Sequence, residues 1–267
     1  MRRFGQTPGA IVGAFHALIF GVTVALAEDT ADLDAIAAQL LPEQVASAVA
    51  AIPEEPRKLL AMRSYLRFSG KLEERWSWSE EEIAAFQGSE AQLALQSEID
   101  AISADFAERN PGHAIYVHSR VRSLDTQIDH WNENNSVGVS GAEIHEAWLN
   151  SKAATPSPTD PKALARFEKW LKRYTPETRA HIAAPGLSRH GRAQAIDFQI
   201  TKDGKIIAST DYDAIETEWR QGGWEDKLKA SVTAAGPCFS GPLSSLHEPW
   251  HYDYTPQPTA ADTSGSQ

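Results

Sequence analysis

The chain has 267 residues, of which 42% are hydrophobic and eight are Trp, enough for one sizeable core and a small accessory region. It carries 36 acidic against 25 basic residues, a formal net charge of −11, which argues against nucleic acid or anionic lipid as a partner. Cys238 is the single cysteine, so an internal disulfide is excluded and zinc chemistry must rely on histidine and carboxylate ligands.

Residues 1–27 have the three parts of a secretory signal peptide. The pair Arg2-Arg3 precedes an apolar run over residues 10–26, and Ala25-Leu26-Ala27 offers a small-x-small cleavage site. The alternative is an N-terminal membrane anchor, but the run is short for a span and is interrupted by Gly and His. We therefore expect an exported protein of the bacterial periplasm or cell envelope, with no transmembrane anchor after cleavage.

Residues 28–110 are rich in Ala, Leu and Glu and predict a helical region of about four helices. Apolar side chains recur at helical spacing, first at Leu33, Ile36 and Leu40 and last over residues 95–106. Ser79, with Glu82 three residues later, has the pattern of a capping box.

Trp76 and Trp78 lie between these predicted helices. We interpret them as aromatics that pack where the helical region meets its neighbour, and the alternative is a platform on which sugars of the cell-wall glycan stack.

The pattern changes after Asn110-Pro111-Gly112, where short strands begin to alternate with helices. A hairpin is predicted from the alternation over residues 193–200, the turn at 202–205 and the strand at 206–208. Other predicted strands are at 114–117 and near Cys238 and Tyr252, and the predicted helices cover 124–132, 141–150, 161–174, 214–220 and 225–233. Residues 256–267 form a Pro/Thr/Ser/Ala tail that we expect to be disordered.

Two stretches near the C-terminal end contain the residue types that a catalytic zinc requires. Ser188–Asp197 contains His190 and Asp197, and Glu248–His251 contains a carboxylate and an imidazole three residues apart. Together they offer three N/O ligands and a separate carboxylate to take a proton from water. Asp197 is also a lone charge in an apolar strand, which is costly without a positive partner. Spacing alone leaves open how Glu248 and His251 point.

These motifs resemble those of the VanY-like D-alanyl-D-alanine carboxypeptidases, the LAS-type zinc D,D-peptidases, which run S-x-H-x-x-G-x-A-x-D and E-x-W-H. The match includes Ser188, Ala195 and Trp250. Ala193 departs from the pattern because it replaces a usual glycine, a change that the loop tolerates if φ there is negative. A third stretch, Ser119–Gln127, resembles the family's S-G-Y-R-S-x-x-x-Q segment.

The resemblance covers about residues 112–254 and implies an α+β fold, a small antiparallel sheet with flanking helices of the Hedgehog/D,D-peptidase-like type. It implies that Zn2+ is bound by His190, Asp197 and His251. It further implies four roles: Glu248 as general base, Arg122 as the oxyanion-stabilising cation with Arg120 as a rival, and Ser188 and Gln127 as substrate contacts.

The implied reaction is hydrolysis of an amide bond next to a D-amino acid in peptidoglycan peptide stems, most simply release of terminal D-Ala. One alternative is an endopeptidase that cuts a cross-link or the L-Ala–D-Glu bond. Another is a zinc- or peptidoglycan-binding protein without turnover, against which the presence of Glu248 argues. The predicted organisation is a signal peptide at 1–27, an all-helical region at 28–110, a zinc peptidase domain at 111–255 and a tail at 256–267.

Overall fold

The structure is a computed structural model that describes residues 32–118, 120–151, 156 and 158–257. The predicted signal peptide at 1–27 lies outside the described residues, as does all but the start of the predicted tail at 256–267. Ser119, the first residue of the third matching stretch, also lies outside them.

The N-terminal region is helical, as predicted, but it contains more helices than the four expected. Its six α-helices are α1 (Leu33–Leu40), α2 (Glu43–Ala50), α3 (Glu55–Arg67), α4 (Leu72–Arg75), α5 (Glu80–Phe86) and α6 (Glu90–Arg109). The predicted capping box is confirmed at the start of α5, because the Ser79 hydroxyl accepts from the backbone N–H of Glu82 while the Glu82 carboxylate accepts from that of Ser79.

Four further α-helices follow: α7 (Leu124–Glu133), α8 (Asn135–Asn150), α9 (Pro161–Arg173) and α10 (Trp224–Ala235). The predicted start of α8 near residue 141 was wrong, because the Asn134 side chain accepts from the backbone N–H of Val137 and caps the helix six residues earlier. A π-helical turn over Ile215–Arg220 replaces the predicted helix at 214–220. Among the described residues, no helix has both the length and the apolar character needed to cross a membrane.

The sheet is antiparallel throughout and is centred on its second strand. Its strands are β1 (His113–Val117), β2 (Ala195–Lys202), β3 (Lys205–Ala208), β4 (Phe239–Ser240) and β5 (His251–Tyr254), in the order β1-β2-β5-β4 with β3 paired to β2. The predicted hairpin is confirmed, and its Asp203-Gly204 turn has φ of 50° and 73°, the left-handed pair that a tight hairpin requires. The chain is therefore a mixed protein of helices and a small antiparallel sheet.

Two hydrophobic cores hold these elements together, and each draws side chains from both sides of residue 110. The first joins α1–α3 to α7–α9, and the second joins α6 to the sheet and α10. The boundary predicted between residues 110 and 111 therefore does not separate two independently packed bodies.

Trp76 and Trp78 connect the two cores. The Trp76 ring lies 5.7 Å from that of Tyr65 in the first core, and the Trp78 ring lies 5.0 Å from that of Phe86 beside the second. The interpretation of both tryptophans as packing aromatics is confirmed.

Candidate metal centre

Strand pairing brings two of the predicted ligands together. Asp197 in β2 is directly opposite His251 in β5, and directly opposed residues of antiparallel strands project from the same face. The His251 Nδ1 atom lies 3.1 Å from Asp197 Oδ1. The sheet register therefore places a carboxylate and an imidazole that are far apart in sequence within hydrogen-bonding distance.

The third predicted ligand comes from the loop that leads into β2. His190 lies in a 3-10 turn, Arg189–Arg192, and its Nε2 atom is 3.3 Å from Asp197 Oδ2 and 3.3 Å from His251 Nδ1. The backbone carbonyl of His190 accepts a hydrogen bond of 3.1 Å from the N–H of Arg122, which fixes the turn against the segment before α7.

The spacing of the two imidazole nitrogens fits a metal of zinc's size. Ligand atoms about 2.0–2.1 Å from a tetrahedral ion stand about 3.3 Å apart, which is the separation of His190 Nε2 and His251 Nδ1. Each imidazole contacts its own oxygen of Asp197, His251 Nδ1 the Oδ1 atom at 3.1 Å and His190 Nε2 the Oδ2 atom at 3.3 Å. Two imidazole nitrogens that face each other at 3.3 Å form a hydrogen bond only if one carries a proton, whereas a cation between them uses both lone pairs. His190, Asp197 and His251 thus form a group that could bind a metal ion.

Glu248 reaches the same site through a tight turn. Its backbone N–H donates to Leu243 at 3.0 Å, and its carbonyl accepts from the N–H of His251 at 3.1 Å. The Glu248 Oε2 atom lies 3.7 Å from His251 Nδ1. The turn therefore makes the Glu248 and His251 side chains point towards each other, a question that their spacing in the sequence had left open.

Burial and mutual charge shift the pKa values of these groups. Burial is the main reason that the pKa of Glu248 rises to about 7, although the cation of His251 opposes it. Burial lowers the pKa of His251, but hydrogen bonds to Asp197 and Asp253 outweigh that effect and raise it to about 9. Burial lowers the pKa of His190. Burial alone would raise the pKa of Asp197, but the charges and hydrogen bonds of His190 and His251 outweigh it and hold the pKa of that carboxyl below its usual range.

Arg122 and Arg120 have different positions. The Arg122 Nη2 atom lies 3.7 Å from Asp197 Oδ2, and its partly exposed side chain borders the space above the ligands. Arg120 is exposed and does not border that space. Of the two candidates, Arg122 is the one next to the ligand carboxylate.

Gln127, which the resemblance implied as a substrate contact, is buried beside the site. It is 5% exposed, and its Nε2 atom donates to Ser77 Oγ at 2.8 Å and to the Arg122 carbonyl at 2.9 Å. Its Oε1 atom accepts from the N–H of Gly186 at 3.0 Å. Both amide hydrogens are therefore used inside the protein, where Gln127 links the loops around the site.

The departure at Ala193 has a structural consequence. Ala193 has φ 52° and ψ 28°, so the condition of a negative φ under which alanine was expected to be tolerated is not met. Gly191, in contrast, is needed for close packing, because a Cβ there would lie 2.1 Å from Ser77 Oγ and 2.7 Å from Gln127 Nε2.

Asp253 is a site residue that the sequence analysis missed. Its Oδ1 atom lies 3.4 Å from His251 Nε2 and 3.0 Å from Arg189 Nε. A carboxylate on the far nitrogen of a ligating histidine fixes the ring's tautomer and orientation. The signal was present in the sequence, since residues two apart on a strand share a face and His251 and Asp253 are both in β5.

The predicted ligands, Glu248, Arg122 and Ser188 all border one cavity of about 1410 Å3, which we call the cleft. Residues of α3 and of the segment that ends α4 border it as well. Comparisons of the chain with protein-family models, with curated proteins and with solved structures find no match.

Proposed function

We propose that the protein is a zinc-dependent peptidase of the VanY-like D,D-peptidase type, which hydrolyses an amide bond next to a D-amino acid in peptidoglycan peptides. The sheet with its flanking helices would then be the D,D-peptidase-like fold that the resemblance implies. The proposal includes export to the periplasm or cell envelope through the signal peptide at 1–27.

The observation that carries the proposal is the convergence of two separate sequence motifs on one point. His190, Asp197 and His251 each bring one possible ligand atom to within 4.8 Å of the others, and a fourth side chain, Glu248, lies beside them without belonging to this group. A purely structural zinc site is closed by four protein ligands, whereas three ligands with a nearby base are typical of hydrolytic sites. Two imidazoles and one carboxylate favour zinc among the common metals.

The chain's own residues supply the remaining chemistry. A zinc ion in this site would act as a Lewis acid and lower the pKa of a water ligand towards neutrality. Glu248, with its pKa raised to about 7, takes a proton from the attacking water and returns it to the leaving amine. The guanidinium of Arg122, beside Asp197, stabilises negative charge on the carbonyl oxygen of the scissile bond. Asp253 holds His251 in its ligating orientation.

The test combines elemental analysis of the purified protein with release of free D-Ala from a muropeptide that ends in D-Ala-D-Ala. We expect one zinc per chain and D-Ala release that a chelator abolishes. Glu248→Gln keeps the shape of the side chain and should retain the metal while turnover falls by about 10²–10⁴-fold. A Glu248→Gln variant with unchanged turnover would remove Glu248 from the mechanism.

The size of the cleft favours an endopeptidase as the second candidate. A volume of about 1410 Å3 exceeds the roughly 300–1,000 Å3 of ordinary small-ligand sites, which leaves room for peptide on both sides of the scissile bond. Mass spectrometry of digested sacculi separates the two activities, because only an endopeptidase releases fragments from internal or cross-linking bonds. Zinc binding with no product in either assay would contradict both and leave a non-catalytic binder.

A further inference from the structure

The helical region contributes cationic side chains to the cleft. Arg63 and Arg67 are one helical turn apart on α3, and Arg75 ends α4; all three border the same cavity as His190 and Glu248. On an α-helix, residues four apart lie on one face, so α3 presents two guanidinium groups to the cleft.

These arginines are not neutralised by acidic side chains. Among the residues that the structure describes, no carboxylate lies within ion-pair distance of Arg63, Arg67 or Arg75, and the same is true of Arg179, which borders the cleft from a loop. Ion pairs are formed by Arg57, Arg109, Arg122, Arg189 and Arg220, whereas Arg120, Arg166, Arg173 and Arg192, like the cleft arginines, form none among the described residues. Four of the eight described arginines without an ion pair therefore border one cavity.

Two of these guanidinium groups are held in place by neutral contacts. Arg63 Nε donates to the carbonyl of Tyr174 at 2.5 Å, and the Arg75 guanidinium carbon lies 4.8 Å from the centre of the Phe68 ring. The side chains are thus positioned without being neutralised. Burial, and after it the charge of Arg67, lowers the pKa of Arg63, which is the direction expected for a cation beside another cation.

A ligand that brings negative charge would relieve this repulsion. The planar guanidinium fork matches the two oxygens of a carboxylate, and several forks along one cavity match a molecule with several such groups. Because the cleft is continuous with the metal ligands, the molecule that meets the arginines is also the one presented to the metal. A peptide with free carboxylates satisfies both conditions, and it also has apolar groups that can contact Phe68.

We propose that the helical region supplies a carboxylate-binding subsite of the cleft, in which Arg63, Arg67 and Arg75 hold free carboxylates of a peptide whose scissile bond lies at the metal ligands. This inference rests on the proposed peptidase function. It gives residues 28–110 a role in substrate selection and predicts that peptides with free internal carboxylates are preferred over their amidated forms.

The experiment uses two peptides of identical sequence that end in D-Ala-D-Ala and differ only in one internal residue, which carries a free carboxylate in one peptide and a carboxamide in the other. Binding is measured by fluorescence anisotropy on zinc-loaded full-length Glu248→Gln protein, in which turnover is expected to be about 10²–10⁴-fold slower than in the wild type. We expect the carboxylate peptide to bind at least about tenfold more tightly, with a preference that falls as salt is raised. Equal binding of the two peptides would overturn the proposal, and this comparison requires no change to the arginines.

The variant for the same assay is the Arg67→Gln and Arg75→Gln double substitution in the Glu248→Gln protein, chosen because both side chains are exposed. It should lose the preference for the carboxylate peptide while the amide peptide binds as before. Arg220→Gln is the matched control, since Arg220 is exposed, pairs with Glu216 and lies outside the cleft. A double variant that keeps the preference would overturn the subsite.

Two outcomes separate this inference from its alternatives. Inorganic polyphosphate and a tetra-glutamate peptide are compared as competitors of the bound peptide, at equal concentrations of negative charge. If polyphosphate displaces the peptide at the lower concentration, the subsite belongs to a phosphate polymer and the carboxylate proposal is overturned. If wild-type protein cleaves neither peptide yet binds the carboxylate form selectively, the proposed peptidase function fails while the subsite stands. If it cleaves both with equal kcat/KM and binds them equally, the function stands and the subsite fails.

Discussion

Replacement of Ala193 by glycine should leave stability almost unchanged, although such a change is normally costly in a core. Ala193 is 8% exposed and has φ 52°. The left-handed conformation costs an alanine about 1–2 kcal/mol, which glycine does not incur. Against this gain stand about 0.8 kcal/mol for the buried methyl group and about 0.5–1 kcal/mol for the greater backbone entropy of glycine. We therefore expect Ala193→Gly to change the free energy of unfolding by less than about 1 kcal/mol.

Ala195→Gly is the matched control, two residues along the same chain. Ala195 is 2% exposed and belongs to the same core, but it lies in β2 with an extended backbone. The change removes the same methyl group and adds the same backbone entropy with no strain to relieve, so it should cost about 1.3–1.8 kcal/mol. The two variants should therefore differ by about 1–2 kcal/mol, the cost of the left-handed alanine.

The assay is equilibrium unfolding in urea followed by tryptophan fluorescence, with excess chelator so that metal binding does not contribute. Equal m-values for the two variants would show that both unfold from comparably compact states. Equal loss of stability in Ala193→Gly and Ala195→Gly would refute the reasoning, because the left-handed backbone at Ala193 would then carry no measurable strain.

Three further predictions concern the site. Asp253→Asn should weaken zinc affinity about 10–100-fold in a competition titration with a chelating dye, because His251 loses its orienting carboxylate; an unchanged affinity would contradict that role. Apparent zinc affinity should rise with pH up to about 9, since a proton on His251 competes with the metal and its pKa is raised to about 9; a flat profile from pH 6 to 9 would argue against His251 as a ligand. Gly191→Ala should cost about 1–3 kcal/mol of unfolding free energy, as measured by urea unfolding, because its Cβ would overlap the Ser77 hydroxyl; unchanged stability would contradict the close packing at Gly191.

Local sequence signals predicted most of the secondary structure. The capping box at Ser79 and Glu82 marked the start of α5, and Asp203-Gly204 marked the hairpin turn. Such signals work because the backbone groups that they satisfy lie within a few residues. The start of α8 was missed because residues 135–141 contain two Gly, two Val, two Ser and an Asn, all of low helix propensity, and tertiary packing of the buried face carries the helix through them.

The candidate site could be predicted in residue type but not in geometry. The motifs identified His190, Asp197 and His251, yet nothing local indicates that Asp197 pairs with His251, because that register depends on the whole sheet. The place of Gln127 was missed for the same reason. Its partners include Ser77 and Gly186, which are distant in sequence and carry no pattern that connects them to it.

The helical region and the candidate metal ligands are linked through one short segment. The backbone N–H groups of Ser77 and Trp78 donate to the carbonyls of Gly186 and Gly191, at 2.8 and 3.0 Å, and these two glycines precede and follow His190 in the chain. Gly186 has φ 82°, and a Cβ there would lie 2.6 Å from the Trp76 ring, so this contact tolerates no side chain. The loop that positions His190 is therefore held by residues from before position 110. The same region also places arginines along the cleft. The position of His190 and the positions of these arginines therefore depend on the same packing, and a movement of the helical region would displace both.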